Sequence, residues 1–517
     1  MHPDTATVSE SVQGPDESQA PVKRSLAQRS FNALKWNYLG SFARVGLQFV
    51  IGIVLARLLG PDAFGLVAIA SLVLGLGALF ADFGLASALI QRKEISVQDI
   101  RYVFTLQTLT GLGLTIILEL SAAFIAEFFK RPDAIDVLHA LFLTFAIQGV
   151  GQTSSALLRR NLHFRQMQLA QIISYLAGYA LLGLPMAWLG FGVWSLVTAQ
   201  LAQTLLCSLI SYGMTRHSVL PCLKHDNHEL VQFGLIITAT NISNWGLACL
   251  DSVVIGRIFG ATQLGLYNRS FSLVAMPTYN IVSSLQGVLF SATSRMQQDH
   301  ARLLQTYLGV LGIMGFICFP IFGVVAVIPV TMISGVYGNT WLAAVPLLMP
   351  LALAMPLSAL MGLGGPLMAG MGKAGFEMGI QFFSLLVYVP LLWWGSTYTM
   401  QVVAWAVFAS AAVRFVLMTH FTLRLLQGHW RSVAHVLAGP LVLSGICAGL
   451  CLLLDNQLRA EELAGSLRLL IVAACAAMIV TLVFLTAQRL LVSSPVAQLL
   501  RQLSASLPKF LQGLIVV

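Results

Sequence analysis

Six charged side chains fall inside long apolar runs of the sequence: Arg44, Asp82, Glu119, Asp251, Arg269 and Arg414. A charge at the centre of a membrane-crossing helix costs about 2.5–3.5 kcal/mol on insertion scales, so each such residue either has a partner or serves the function. A guanidinium holds phosphate oxygens through two parallel hydrogen bonds, so an excess of arginine over deep carboxylate suits an anionic ligand in a cavity. Arg57 and Arg257, each at the far end of its run, either extend that set as rim residues or snorkel to the interface and cap helix carbonyls. Asp82 lies at the depth of Arg44, and Asp251 at the depth of Arg269. The two aspartates therefore read as structural ion pairs or as carriers of a coupling ion, while Glu119 can reach the surface.

Other chemistry finds no footing. His225 and His228 in HDNHE have a metal-like spacing but sit in a charged loop without a second pair of ligands. The GLG at Gly75 and Gly111 lies within apolar runs and lacks the strand and lysine of a phosphate loop, and neither G-x-S-x-G nor H-E-x-x-H occurs. Cys207, Cys222, Cys249, Cys318, Cys447, Cys451 and Cys475 are scattered and form no C-x-x-C, so they read as packing residues. No metal or cofactor is expected, and any active transport would draw on an ion gradient or membrane potential.

The elements that position these charges follow from composition. Of 517 residues, 57% are hydrophobic and 9% charged, with a mean hydropathy of +0.82, against roughly 25% charged in a soluble domain. Lipid is the solvent for most of the chain. Apolar runs long enough to cross a bilayer predict an all-α polytopic membrane protein of about fourteen transmembrane helices. Six fall near 37–59, 64–90, 102–126, 135–157, 169–189 and 191–214, forming an N-lobe. Six more fall near 231–258, 264–292, 303–334, 344–369, 376–394 and 399–424, forming a C-lobe, and two follow within 432–488.

Residues 1–36 read as a polar tail ending in a basic interfacial segment, 215–230 as an inter-lobe loop, and 489–517 as an amphipathic tail. Most lysines and arginines occupy alternate loops of one phase, which places both termini in the cytoplasm. The net charge of +9 is thereby mainly a topology signal, and no clustered basic face for nucleic acid is visible.

Residues 54–66, VLARLLGPDAFGL, and 254–266, VIGRIFGATQLGL, align without a gap. Val, Arg, Gly, Gly and Leu recur, and Gly52, Ala56 and Gly60 reappear as Ser252, Gly256 and Gly260, a spacing that lets helices approach closely. Six helices per copy is an even number, so the two lobes share one orientation and form a parallel repeat.

The run SFARVGLQFVIGIVLARLLGPDAFGLVAIASLVLGLGALFADFGLASALIQRKEIS and its counterpart LDSVVIGRIFGATQLGLYNRSFSLVAMP resemble the Wzx-type polysaccharide flippases. These form the polysaccharide-transport branch of the multidrug/oligosaccharidyl-lipid/polysaccharide exporter superfamily. The likeness runs from about residue 30 to about residue 430. It implies movement of an undecaprenyl-pyrophosphate-linked oligosaccharide between leaflets of a bacterial inner membrane, for exopolysaccharide, capsule or O-antigen synthesis. It also implies alternating access through an arginine-lined cavity, with the pathway's polymerase and chain-length regulator as candidate partners. Arg44 matches the arginine such proteins carry near the inner end of helix one. The Arg-Asp pair that lipid II flippases carry further along that helix is replaced by Gln48-Phe49-Val50-Ile51, which argues against peptidoglycan precursor. A drug/cation antiporter of the superfamily would show the opposite excess, of carboxylate, and a membrane polysaccharide polymerase would carry a long outer loop. The resemblance implies a transporter, not an enzyme.

Overall fold

The computed structural model describes residues 26–82, 89–90, 95–222, 245–297, 299–461 and 463–504, and among them every regular element is helical. Lipid offers backbone groups no partner, so each segment must satisfy its own N–H and C=O groups. The first helical run, Leu26–Asp82, breaks at Gly60, whose φ of 73° glycine adopts without strain. Pro61 then opens the next helix with its φ already set. The break divides the run into α1 (26–59) and α2 (61–82). Its counterpart is Gly260, at φ 91° and ψ 173°, between α7 (245–258) and α8 (Ala261–Arg295).

The remaining elements are α3 (Val97–Phe128), α4 (Ala134–Arg160), α5 (Phe164–Trp188), α6 (Trp194–Thr215), α9 (His300–Val327) and the short α10 (Pro329–Val336). There follow α11 (Asn339–Gly370), α12 (Ala374–Ser396), α13 (Met400–Leu425), α14 (Trp430–Ala460), α15 (Gly465–Leu491) and α16 (Ser494–Ser504). Eleven helical runs among the described residues are long and apolar enough to cross a membrane, and the first of these holds both α1 and α2. With α7 and α8 the number of crossings comes to about fourteen. The expected inter-lobe loop and the start of the seventh span fall largely at 223–244, outside the described residues, as do 1–25 and 505–517 of the two tails.

Alternating helix directions give the bundle two faces. One carries the start of α1 and the α4–α5 and α12 junctions; the other, the turn face, carries Gly60 and Gly260. On the turn face the lobes interlock reciprocally. A Cβ on Gly65 would stand 2.0 Å from the Ala261 carbonyl oxygen, and one on Gly265 would stand 2.1 Å from that of Pro61. Each contact is the other transposed by the repeat, as a two-fold relation between the lobes requires. Trp341, fully buried, adds a bond from Nε1 to the Ala56 carbonyl at 2.9 Å.

A second anchor of the repeat lies deeper in each half. Leu162 (φ 57°) and Gly372 (φ 72°) both turn left-handed at the α4–α5 and α11–α12 junctions. There the copies are offset by ten residues more than at Gly60, because α10 has no counterpart in the first half.

The last two spans pack on the second lobe. Ser444 donates to the Phe319 carbonyl at 2.7 Å. Asp455, at 0% exposure, takes Arg459 at 2.7 Å, Arg468 at 3.6 Å and the Thr331 hydroxyl. A buried carboxylate so placed ties α14 to α15 and α10.

Candidate functional site

Three polar stripes face one another inside the first lobe. On α4, Gln148, Gln152, Ser155 and Arg159 recur at helical spacing. Gln171 projects from α5, and Gln203, Thr204, Cys207 and Ser208 from α6. With Arg44 of α1 they line a cavity of about 330 Å³, within the roughly 300–1,000 Å³ of ligand sites. Arg44 donates from Nη1 to Gln171 Oε1 at 2.7 Å, and its buried Nε has no partner among the described residues. Because a guanidinium only donates, the Gln171 atom facing it is the carbonyl oxygen, which turns the Gln171 NH₂ elsewhere. Arg159 is exposed and forms the rim towards the N-terminal face.

The second lobe repeats the plan with a different charge. Gln381 and Ser384 on α12 correspond to Gln171 and Ser174 on α5, at the wider offset. A cavity of about 180 Å³ is lined there by Gln286, Glu377, Gln381, Ser384 and Arg414. Gln381 donates to Glu377 Oε1 at 3.2 Å. The equivalent amide thus serves a cation in one lobe and a carboxylate in the other. A further cavity of about 750 Å³ is a groove walled by Phe376, Ile380, Phe383, Leu417 and Phe421, with Lys373 at its edge. Its apolar walls are what lipid-facing helices present, and none of the three arginines within the spans lines it.

Arg269 sits between the lobes, beneath the interlocked turn face. Its guanidinium carbon lies 3.8 Å from the Phe64 ring centroid, within range of cation–π attraction. Tyr337 donates to its backbone carbonyl at 3.3 Å, and Gly52 of α1 passes its Nη1 closely. Tyr175 and Tyr179, stacked at 4.7 Å where the π-helical stretch Leu176–Gly183 of α5 begins, face it from the first lobe. Arg269 lines neither lobe cavity. The three arginines within the spans are therefore placed separately: Arg44 in the first lobe, Arg414 in the second, Arg269 between. Among the described residues none of the three forms an ion pair with a carboxylate.

The carboxylates have other partners. Asp251, 4% exposed, accepts from Tyr267 at 2.5 Å, from Tyr388, and from its neighbour's amide, Ser252 N, at 2.6 Å. The expected pairing of Asp251 with Arg269 is not formed. Tyr267 and Arg269 are two residues apart on α8 and so face different sides of it, Tyr267 into the second lobe and Arg269 towards the first. Glu119 of α3 bonds His139 of α4. The side chain of Asp82, and with it the expected Arg44–Asp82 pair, lies outside the described residues.

Arg57 and Arg257 form a matched pair of clasps across the lobes. Arg57 donates to the carbonyls of Val336 at 2.7 Å and of Gly335, at the end of α10. Arg257 donates to the carbonyls of Phe128 and, at 3.4 Å, of Glu127, at the end of α3, with its guanidinium 5.0 Å from the Phe128 ring centroid. Each caps helix C-terminal carbonyls of the opposite lobe. Beside them Arg131 bonds Asp62 at 2.9 and 3.2 Å and Asp133 at 2.8 and 2.6 Å, and Thr262 donates to Asp62 at 2.7 Å. The Arg131 guanidinium holds the Asp133 carboxyl below its usual range.

The amide stripes of α4, α5 and α6 were the part that a search for charges passes over. Their signal in the sequence is the helical spacing of Gln148, Gln152 and Arg159 within one apolar run.

Residues 54–346 match the family described as polysaccharide biosynthesis protein. The chain is 25% identical over 381 residues to the lipopolysaccharide biosynthesis protein WzxC of Escherichia coli K12, covering 71% of this chain and 75% of that one. It is 23% identical over 396 residues to a membrane protein of the cps region of Klebsiella pneumoniae, covering 76% and 80%. Among solved structures, the lipid II flippase MurJ in an inward closed conformation superposes with a TM-score of 0.67 at 12% identity, covering 87% of this chain and 98% of that one. That last likeness concerns the fold.

Proposed function

The chain belongs to the polysaccharide biosynthesis protein family, among its Wzx-type flippases, and from that premise we propose that it carries an undecaprenyl-pyrophosphate-linked oligosaccharide from the cytoplasmic to the outer leaflet of a bacterial inner membrane. Polysaccharide transport is the family's work; the lipid carrier, the arginine-lined path and alternating access are the finer reading. What supports it is one observation: Arg44, Arg269 and Arg414 lie within the spans, and none has a carboxylate partner among the described residues. An unpaired guanidinium in that setting is expensive, and a pyrophosphate passing between the lobes would neutralise it.

In this reading the N-terminal face is cytoplasmic, in keeping with Arg101, Arg159, Arg160, Arg165, Arg302, Arg424 and Arg431 at that end of the helices. The interlocked turn face then closes the outer side, and the polar cavity around Arg44 is reached from within. The saccharide would travel through the polar interior while the polyprenyl chain stays in lipid. Opening the turn face requires breaking the clasps of Arg57 and Arg257 and the Asp62–Thr262 bond. Asp251, held by two tyrosines, would carry a coupling proton in this reading if those bonds change between states.

The experiment is polysaccharide export in cells whose own copy is deleted. Replacing Arg44 or Arg269 by Ala should abolish export with the protein still present in the membrane, and Arg→Lys should restore it in part. Normal export from both alanine variants would remove the arginine path.

A further inference from the structure

We propose that the first-lobe cavity is a saccharide subsite, in which the amides of Gln148, Gln152, Gln171 and Gln203 bind the hydroxyls of the sugar next to the lipid pyrophosphate. This rests on the flippase reading and assigns one part of the substrate to one cavity.

The donor and acceptor inventory carries the assignment. Pyrophosphate oxygens only accept, so a site built for them alone presents donors and keeps carbonyl oxygens away. This cavity presents both. Each of the four amides offers two N–H donors, Gln148, Gln152 and Gln203 also offer a carbonyl acceptor, and Thr204 and Ser208 add hydroxyls to the same wall. Sugar hydroxyls, which donate and accept at each oxygen, match that mixture. Arg44 is committed through Nη1 to the Gln171 carbonyl, which fixes that amide with its NH₂ free to donate. Gln152, Gln171 and Gln203 are half-buried and Gln148 is exposed, so all four amides are within reach of a ligand, and the cavity of about 330 Å³ has room for a monosaccharide. The second lobe's counterpart does not compete: at about 180 Å³ it is smaller, and its equivalent amide is engaged by Glu377.

The test uses the full chain in lipid nanodiscs and two probes, undecaprenyl pyrophosphate and the same lipid carrying a single hexose, glucose or galactose. Binding is followed by intrinsic tryptophan fluorescence. Wild-type protein should bind at least one hexose-bearing probe about tenfold or more tightly than the bare one, since each net hydrogen bond contributes up to about that factor. Gln148→Leu with Gln203→Leu should erase the difference and leave bare pyrophosphate binding unchanged. The single variant Gln152→Met, a smaller perturbation, should narrow it, and an unaltered thermal unfolding midpoint would show that each variant is folded. Equal binding of bare and glycosylated probes by wild type overturns the proposal. So does equal weakening of both probes in the amide variants, which would make the cavity a phosphate site. Failure of wild type to bind any of these lipids would instead overturn the flippase reading, and the subsite with it.

Discussion

Thr262 donates a hydrogen bond to Asp62 at 2.7 Å, although 200 residues of chain separate them. Each is the second residue after the left-handed glycine of its own lobe, so the bond joins equivalent points across the two-fold relation. Arg131 closes the arrangement by bridging Asp62 to Asp133, which leaves the turn face held by three helix junctions rather than by side chains alone.

The first expectation concerns that bond. With the native cysteines replaced, Asp62→Cys and Thr262→Cys should cross-link under mild oxidation, and the linked protein should lose export until reductant is added. Full cross-linking with undiminished export would show that the turn face does not open during transport.

Gly65→Ala and Gly265→Ala each push a methyl group against a backbone carbonyl that has little room to move. Either should destabilise the closed face by about 1–3 kcal/mol. Because both strain one interface, the double variant should fall short of the sum. Thermal unfolding midpoints in one detergent measure this, and full additivity or no loss would count against a shared interface.

His217 lies just beyond α6, beside the ring of Phe104, with Nε2 accepting from Ser154 at 3.1 Å and Nδ1 facing the Ser218 carbonyl at 3.3 Å. Burial lowers its pKa from 6.5. The unfolded chain therefore binds this proton more readily, so the contribution to stability is complete above pH 6.5 and declines as pH falls towards the folded value. The slope of unfolding midpoint against pH in that window should flatten in His217→Gln, and an unchanged slope would locate the effect elsewhere.

Asp455→Ala should cost stability near the low end of the roughly 3–5 kcal/mol lost on breaking a buried pair. Arg459, 35% exposed, can turn to water, but Arg468 is only 11% exposed and Thr331 is left without its acceptor. Asp455→Asn should recover part of the loss by keeping the Thr331 bond. The readout is a denaturation midpoint in detergent, and export should change less than stability does.

The span charges, the repeat at Gly60 and Gly260 and the helical class were legible because a charge or a glycine stands out in an apolar run. Gln148, Gln152 and Gln203 were not, since an uncharged amide barely interrupts hydropathy and acquires meaning only when three helices face one another. The partners of Asp251 depended on which side of α8 meets which lobe, a matter of packing that depth along a helix does not specify. Leu162 and Gly372 share a backbone conformation but not a residue type, so the second anchor of the repeat left no mark on the residues. Asp455 was hidden by its place near a span end, where a carboxylate ordinarily reaches water.

Because α10 exists only in the second half, the two arginine clasps grip unlike handles. Arg257 holds the plain end of a membrane helix, whereas Arg57 holds a short added element that is itself moored through Thr331 to Asp455 and the last two spans. The two halves match, and this one departure from their symmetry connects the latch of the pair to a part of the molecule that lies outside the repeat.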